Sequence, residues 1–241
     1  MKKNCLIIGA SGAIGNAIAT AFADEGYQLL LHYHQNSTSI TNWLKQREDD
    51  AVLQTIQADL SHRDGIINLL QQISFRVDTL LFASGTSLVQ LFQDATEEEM
   101  DSLYHVHVKT PWMVTNHLLP EMLNRKSGSI IVISSIWGEV GGSCEVLYSS
   151  VKGAQDSFVK ALAKEAAPSG ISVNGIRPGY VDTKMNDMFD EKEQRELLDA
   201  IPAGRFGTPQ EVASLALFLA SPASNYVNGQ MLNMNGAWSG A

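Results

Sequence analysis

Cysteine is scarce. Cys5 and Cys144 are the only two in 241 residues, which excludes a disulfide framework and makes the cytoplasm the expected compartment. Basic residues are outnumbered. Seventeen Lys and Arg against 26 Asp and Glu leave a net charge of −9, so general affinity for nucleic acid is not expected. An acidic protein partner would need a local basic patch. No apolar run reaches the roughly 18 residues of a membrane-spanning helix. Lys2 and Lys3 precede an apolar run, but Gly9 ends it too early for a secretion signal. Repeats, low-complexity segments and linker-like stretches are missing, so one domain over residues 1–241 is expected. The six histidines show no ligand spacing with carboxylates, and no metal is expected.

What the chain does have is a regular alternation of two periods. Residues 4–8 form an apolar run that reads as a buried strand, and 9–15 form a glycine-rich turn. Residues 16–25 read as a helix with Ala17, Ile18, Ala21 and Phe22 on one face, closed by Gly26. Further strands are expected at 29–33, 52–58, 78–83, 129–133, 171–176 and 230–234. Helices are expected at 39–50, 62–72, from 96 to about 125, at 148–166 and at 211–220. Strands alternating with long helices predict an α/β Rossmann fold: a doubly wound, mostly parallel sheet of about seven strands with helices on both faces. Such a sheet binds ligands at the carboxyl ends of its strands. Gly9, Tyr33, Asp59, Gly85, Ser135 and Pro178 all fall at such ends.

Gly9, Gly12 and Gly15 are spaced G-x-x-G-x-x-G between the first strand and the first helix. Such a turn lets backbone amides approach a pyrophosphate, and the helix N-terminus adds its positive end. A dinucleotide cofactor follows. Where an NAD-binding fold places an acid for the ribose hydroxyls, the second strand ends in Tyr33. Nothing there repels a 2′-phosphate, and His32 or His34 could hydrogen-bond one. NADPH is therefore expected over NADH.

Ser135 follows the fifth strand, and Tyr148 and Lys152 are four residues apart on one helix face. An ammonium beside a phenol favours phenolate, which would ease proton transfer to a carbonyl oxygen. Ser135 could hydrogen-bond the same oxygen. Cys144 reads as a wall residue rather than a nucleophile, because no basic setting activates it. Trp137, Met185, Met188 and Phe189 are candidates for lining a substrate pocket.

Taken in order, these motifs resemble the short-chain dehydrogenase/reductase family. The resemblance extends to Asp59-Leu60, 178–183, 201–207, 209–212, 226–230 and 235–236, covering nearly the whole chain. Within the family the tail is most similar to 3-oxoacyl-acyl-carrier-protein reductases. The resemblance implies that Tyr148 donates the proton, that Lys152 also holds the nicotinamide ribose, and that Ser135 orients the carbonyl. It assigns cofactor contacts to Gly9, Ser11, Gly12, Ile14 and Gly15, to Tyr33 and His34, and to Asp59 and Leu60. Ala83, Gly85, Pro178, Gly179, Val181 and Thr183 complete that set. A substrate loop at about 183–205 and a homotetramer are implied as well.

Three positions depart from the family pattern. Ala13 replaces the second loop glycine, with Gly12 one position early as compensation. Phe82-Ala83-Ser84-Gly85 lacks two amide side chains near the ribose. His107 stands where an asparagine supports the water chain that feeds the catalytic lysine. A relay through His107 predicts a loss of activity as pH falls through about 6 to 7. Phe82 to Gly85 together with 107–109 also resembles reductases of a 5-aminopentanone modification on elongation factor P. The substrate is thus a carbonyl compound, on an acidic carrier protein or on that factor. Carrier docking calls for two basic residues beside the pocket. Arg125-Lys126 fits the first, and Ser169 stands where the second belongs. The rival from another class is a dinucleotide sensor that kept the fold without the chemistry.

Overall fold

The structure is a computed structural model and describes residues 2–47, 50–183 and 191–238. Seven strands form one sheet in the order β3-β2-β1-β4-β5-β6-β7. They are β1 (Asn4–Ile8), β2 (Gln28–Tyr33), β3 (Val52–Gln57), β4 (Thr79–Phe82), β5 (Gly128–Ile133), β6 (Ile171–Pro178) and β7 (Met231–Met234). Every neighbouring pair is parallel, so "mostly parallel" becomes wholly parallel. The strand order reverses between β1 and β4, which leaves a crevice at their carboxyl ends. The register brings Ile8 beside both His32 and Phe82. Gly9, Tyr33 and Ala83 are thereby delivered to one place.

Helices cover both faces. On one, α1 (Ala13–Asp24) and α9 (Pro209–Ala220) pack Ile18, Phe22, Val212 and Ala216 against Ile7, Leu29 and Leu81. On the other, α3 (Arg63–Gln72), α5 (Thr110–Arg125) and α7 (Val146–Ala166) pack Ile66, Leu69, Val114, Leu118 and Val159 against Leu6, Leu30 and Leu80. These side chains are fully or almost fully buried, and each contributes about 1.5–3 kcal/mol relative to exposure. A capping box between Thr96 and Glu99 starts α4 (Glu97–Tyr104), and another between Thr208 and Glu211 starts α9.

Three features depart from the sequence expectation. The long helix from Thr96 is broken by a π-helical turn over His105–Lys109, between α4 and α5. A single turn, α6 (Trp137–Val140), follows Ser135. The expected substrate loop contains α8 (Glu191–Ala200). Met185, Met188 and Phe189 lie outside the described residues. The second helix, α2 (Ser37–Lys45), stops short of residue 50. Among the described residues no helix is long and apolar enough to cross a membrane.

Candidate active site

The glycine turn forms one wall of a groove of about 1040 Å³, shared with Ala83, Gly85 and Thr183. Gly9 has φ of +91°, and a Cβ there would lie 2.5 Å from the Ser84 nitrogen. A Cβ on Gly15 would collide with the Gly9 carbonyl oxygen. Both positions therefore demand glycine. Gly12 caps α1 without a side-chain hydrogen bond, and the first turn holds no acid. Its amides and dipole remain available for an anion. The groove fits the pyrophosphate of a dinucleotide, which Ser11, Gly12, Ile14 and Gly15 would hold.

His32 has a different task from the one expected. It is buried in β2; its Nδ1 accepts from the Gly9 amide at 3.1 Å, and its Nε2 lies 3.1 Å from the Ala58 carbonyl. The proton must then sit on Nε2, because Nδ1 is an acceptor. Burial pushes its pKa down to about 4. His32 therefore pins the glycine turn to β2 and β3 and cannot reach a 2′-phosphate. Tyr33 ends β2 half-buried. His34 is exposed enough to meet a ligand, with Nε2 3.5 Å from Asp59 Oδ2. Burial would raise the Asp59 carboxyl, but bonds from Ser61 and the nearby His34 and His62 hold it below its ordinary range. The Leu60 side chain is buried in the core, leaving only its backbone for a cofactor.

The groove opens into a cavity of about 160 Å³ lined by Ser135, Tyr148 and Lys152. Ile14, Ala83, Gly85 and Thr183 line both spaces, so they are continuous. Pro178, Gly179 and Val181 form the far wall. Above it stand Trp137, Tyr180 and Trp238, with ring centroids 5.1 to 5.3 Å apart. Ser135 Oγ accepts from the Trp137 amide at 3.2 Å, which leaves its own hydrogen free to donate into the cavity. Lys152 Nζ lies 5.4 Å from the Tyr148 ring centroid.

The electrostatics differ from the expectation. Burial, and then the charge of Glu145, push the Tyr148 phenol above its ordinary value, against a smaller lowering by Ser135. Lys152 is depressed to about 7 by burial, with Asp156 opposing. A buried lysine that charges only near neutrality is a weak stabiliser of phenolate. Tyr148 thus keeps its proton through the neutral range.

Four polar residues that the sequence reading passed over support the site. Gln155 is buried and bonds Lys152. Asp156 accepts from Ser134 Oγ at 2.7 Å and from Arg177 Nε at 2.8 Å. Arg177 also pairs with Glu139 at 2.8 Å. The network ties β5, α6, α7 and β6 together beneath the cavity. One signal was present: Gln155 and Asp156 lie three and four residues after Lys152, on its face of the helix. Arg177→Leu leaves Asp156 buried without its partner and is expected to cost about 3–5 kcal/mol. Urea unfolding measures it, and a loss below about 1 kcal/mol would contradict the assignment.

Three other expectations change. The His107 ring is fully buried, edge-on to Tyr148 with centroids 5.6 Å apart. Its Nε2 lies 2.9 Å from the Thr86 carbonyl oxygen, while Nδ1 has no partner among the described residues. Burial, then Lys152, push its pKa down to about 3, so it cannot produce a limb at pH 6 to 7. Arg125 bonds the Val77 carbonyl and pairs with Asp78 and Glu121. Asp78 precedes β4, so Arg125 lies at the opposite edge of the sheet from the cavity. Cys144 is not in the cavity lining; its neighbour Glu145 is. Glu145 stands at the start of α7 but makes no capping bond, and burial raises its carboxyl above the ordinary range. Among the described residues no cluster of His, Cys, Asp and Glu is arranged to hold a metal.

Comparison with known proteins agrees with this architecture. Residues 9–239 match the family model described as enoyl-(acyl carrier protein) reductase. The chain is 45% identical over 240 residues to the uncharacterized oxidoreductase YmfI of Bacillus subtilis, covering 99% of each. It is 32% identical over 238 residues to the 3-oxoacyl-[acyl-carrier-protein] reductase FabG of Thermotoga maritima, covering 97% of this chain and 96% of that one. A crystal structure of a 3-oxoacyl-[acyl-carrier protein] reductase from Brucella melitensis superposes with a TM-score of 0.89 at 26% identity, over 99% of this chain and 92% of that one. A gluconate 5-dehydrogenase from Burkholderia cenocepacia, solved with NADP and tartrate, gives 0.89 at 25% identity, over 100% and 97%. With its fold, its groove and these relatives agreeing, the chain belongs to the short-chain dehydrogenase/reductase family of NAD(P)-dependent oxidoreductases.

Proposed function

We propose that this protein reduces a ketone to a secondary alcohol with NADPH, in the manner of a 3-oxoacyl-[acyl-carrier-protein] reductase. The observation that carries the reading is the opening of the glycine groove into the cavity holding Ser135, Tyr148 and Lys152. The bound cofactor supplies the hydride. Ser135 Oγ–H donates to the substrate oxygen and fixes its position. Tyr148, which holds its proton at neutral pH, delivers that proton as the oxygen gains charge. Lys152 places a positive charge behind the phenol and reaches toward the ribose. The test is consumption of NADPH with a simple β-keto ester. Steady turnover supports the reading, and failure with every ketone would favour the sensor.

NADPH is expected to exceed NADH by at least roughly tenfold in kcat/KM, about 1.4 kcal/mol. Tyr33 carries no charge to repel a 2′-phosphate, and exposed His34 stands next to it. Tyr33→Asp should reverse or erase the preference, as steady-state kinetics with both cofactors would show. Equal use of both by the parent would count against it.

Two observations favour a second substrate, the 5-aminopentanone group on elongation factor P. Arg125 lies away from the cavity, so the basic residue expected for carrier docking is not there. Glu145 presents a carboxylate inside the cavity, where it would attract the ammonium of an amino ketone and offers nothing to a neutral acyl chain. Comparing turnover of a 3-oxoacyl carrier with that of the modified factor decides between them.

A further inference from the structure

Lys152 is held by two protein oxygens. Its Nζ donates to the Ile133 carbonyl at 2.9 Å and to Gln155 Oε1 at 3.2 Å. The far end of the same amide, Gln155 Nε2, donates to the His107 carbonyl at 2.8 Å. Lys152, Gln155 and His107 are 3%, 3% and 0% exposed. Gln155 follows Lys152 by one helical turn, and the His107 carbonyl comes from the wide turn His105–Lys109. Three elements thus converge on a single side chain.

We propose that Gln155 is a positioning residue for Lys152, its amide joining the ammonium to the His107 carbonyl along the path that water serves in the family this chain resembles. Only one orientation of the amide satisfies both bonds: the oxygen must face the ammonium and the NH₂ group must face the carbonyl. An ammonium has three donors. With two engaged by Ile133 and Gln155, the third is aimed at the cavity. An amide does not titrate in the working range, so this strut carries no proton. The proton that Tyr148 gives to the substrate oxygen is replaced from cavity water, and Lys152 acts by charge and position alone. His107 reaches Lys152 through its main chain, not through its imidazole.

The kinetic arm of the test rests on the reductase reading; a second arm does not. Gln155→Leu keeps the volume and removes both bonds. Gln155→Ala leaves a space with polar ends, the ammonium and the His107 carbonyl, that a water can fill. A packing role makes Gln155→Ala the worse variant in both melting temperature and activity. A positioning role separates the two measurements. Gln155→Ala should melt lower yet keep kcat within about threefold of the parent, while Gln155→Leu should lose at least about tenfold. Gln155→Glu places a carboxylate against Lys152, alongside the groups that already face it, Asp156, Tyr148 and His107. The Lys152 ammonium, titrated by NMR, should then charge at a pH higher by at least about one unit. Activities that follow the melting temperatures, a Gln155→Leu variant as fast as the parent, or an unmoved Lys152 titration would each overturn the proposal. A parent that turns over no ketone removes the reductase reading instead, and the titration then decides the Gln155 contact alone.

Discussion

Tyr148→Phe is expected to lower ketone turnover by on the order of a hundredfold or more while NADPH binding stays within a few-fold of the parent. The variant removes one oxygen and its proton. The ring remains, and with it the edge-on contact with His107. Lys152 keeps its bonds to Ile133 and Gln155, so its approach to a cofactor ribose is unchanged. The loss should therefore fall on kcat rather than on the cofactor dissociation constant, which a fluorescence titration measures separately. Near-parental kcat would remove Tyr148 from the chemistry. Weakened NADPH binding in proportion to kcat would make the phenol a binding group instead.

Lys152→Met should cost a similar factor, on the order of a hundredfold, and should also change the shape of the pH profile. Burial brings the lysine down to about 7. It is charged below that value and neutral above it. The stabilisation it gives to developing phenolate is present at lower pH and fades as pH rises. The parent's kcat/KM, which reports the free protein, should fall on the alkaline side with an apparent value near 7. His107 adds no acid-side limb, being neutral down to about 3. In Lys152→Met the alkaline limb should vanish and the residual rate should be flat through neutrality. A parental limb surviving in the variant would assign that titration to another group.

The parts of this molecule that could be read from the sequence are those set by local pattern. Glycines after the first apolar run, a serine after the fifth and Tyr148 four residues before Lys152 each declare their place at a strand end or on a helix face. The rest depends on neighbours distant in the chain. β2 is buried on both faces, so no alternation marks His32 as inward, and its bonds to Gly9 and Ala58 appear only once β1, β2 and β3 are side by side. Gln155 and Asp156 share a face with Lys152, but nothing local says which carbonyl or guanidinium waits opposite. Arg125 was misplaced because five bonds of side chain can reach either way along a sheet edge. The phenol's shift was misjudged because proximity to Lys152 suggests only attraction. Burial acts on both groups and outweighs it.

The wide turn at His105–Lys109 also limits how the chain can change length. A π-helical turn holds one residue more than an α-helical turn of the same height. Deleting a single residue there would let α4 run smoothly into α5, at no cost in hydrogen bonds. It would also rotate everything downstream by about 100°. Val114, Leu118 and Met122, now in the core, would swing toward solvent, and the carbonyl that receives Gln155 would turn from α7. The segment is therefore a place where shortening by one residue is more damaging than most substitutions, and a deletion scan across α4 and α5 should show its sharpest loss of folded protein at these five positions.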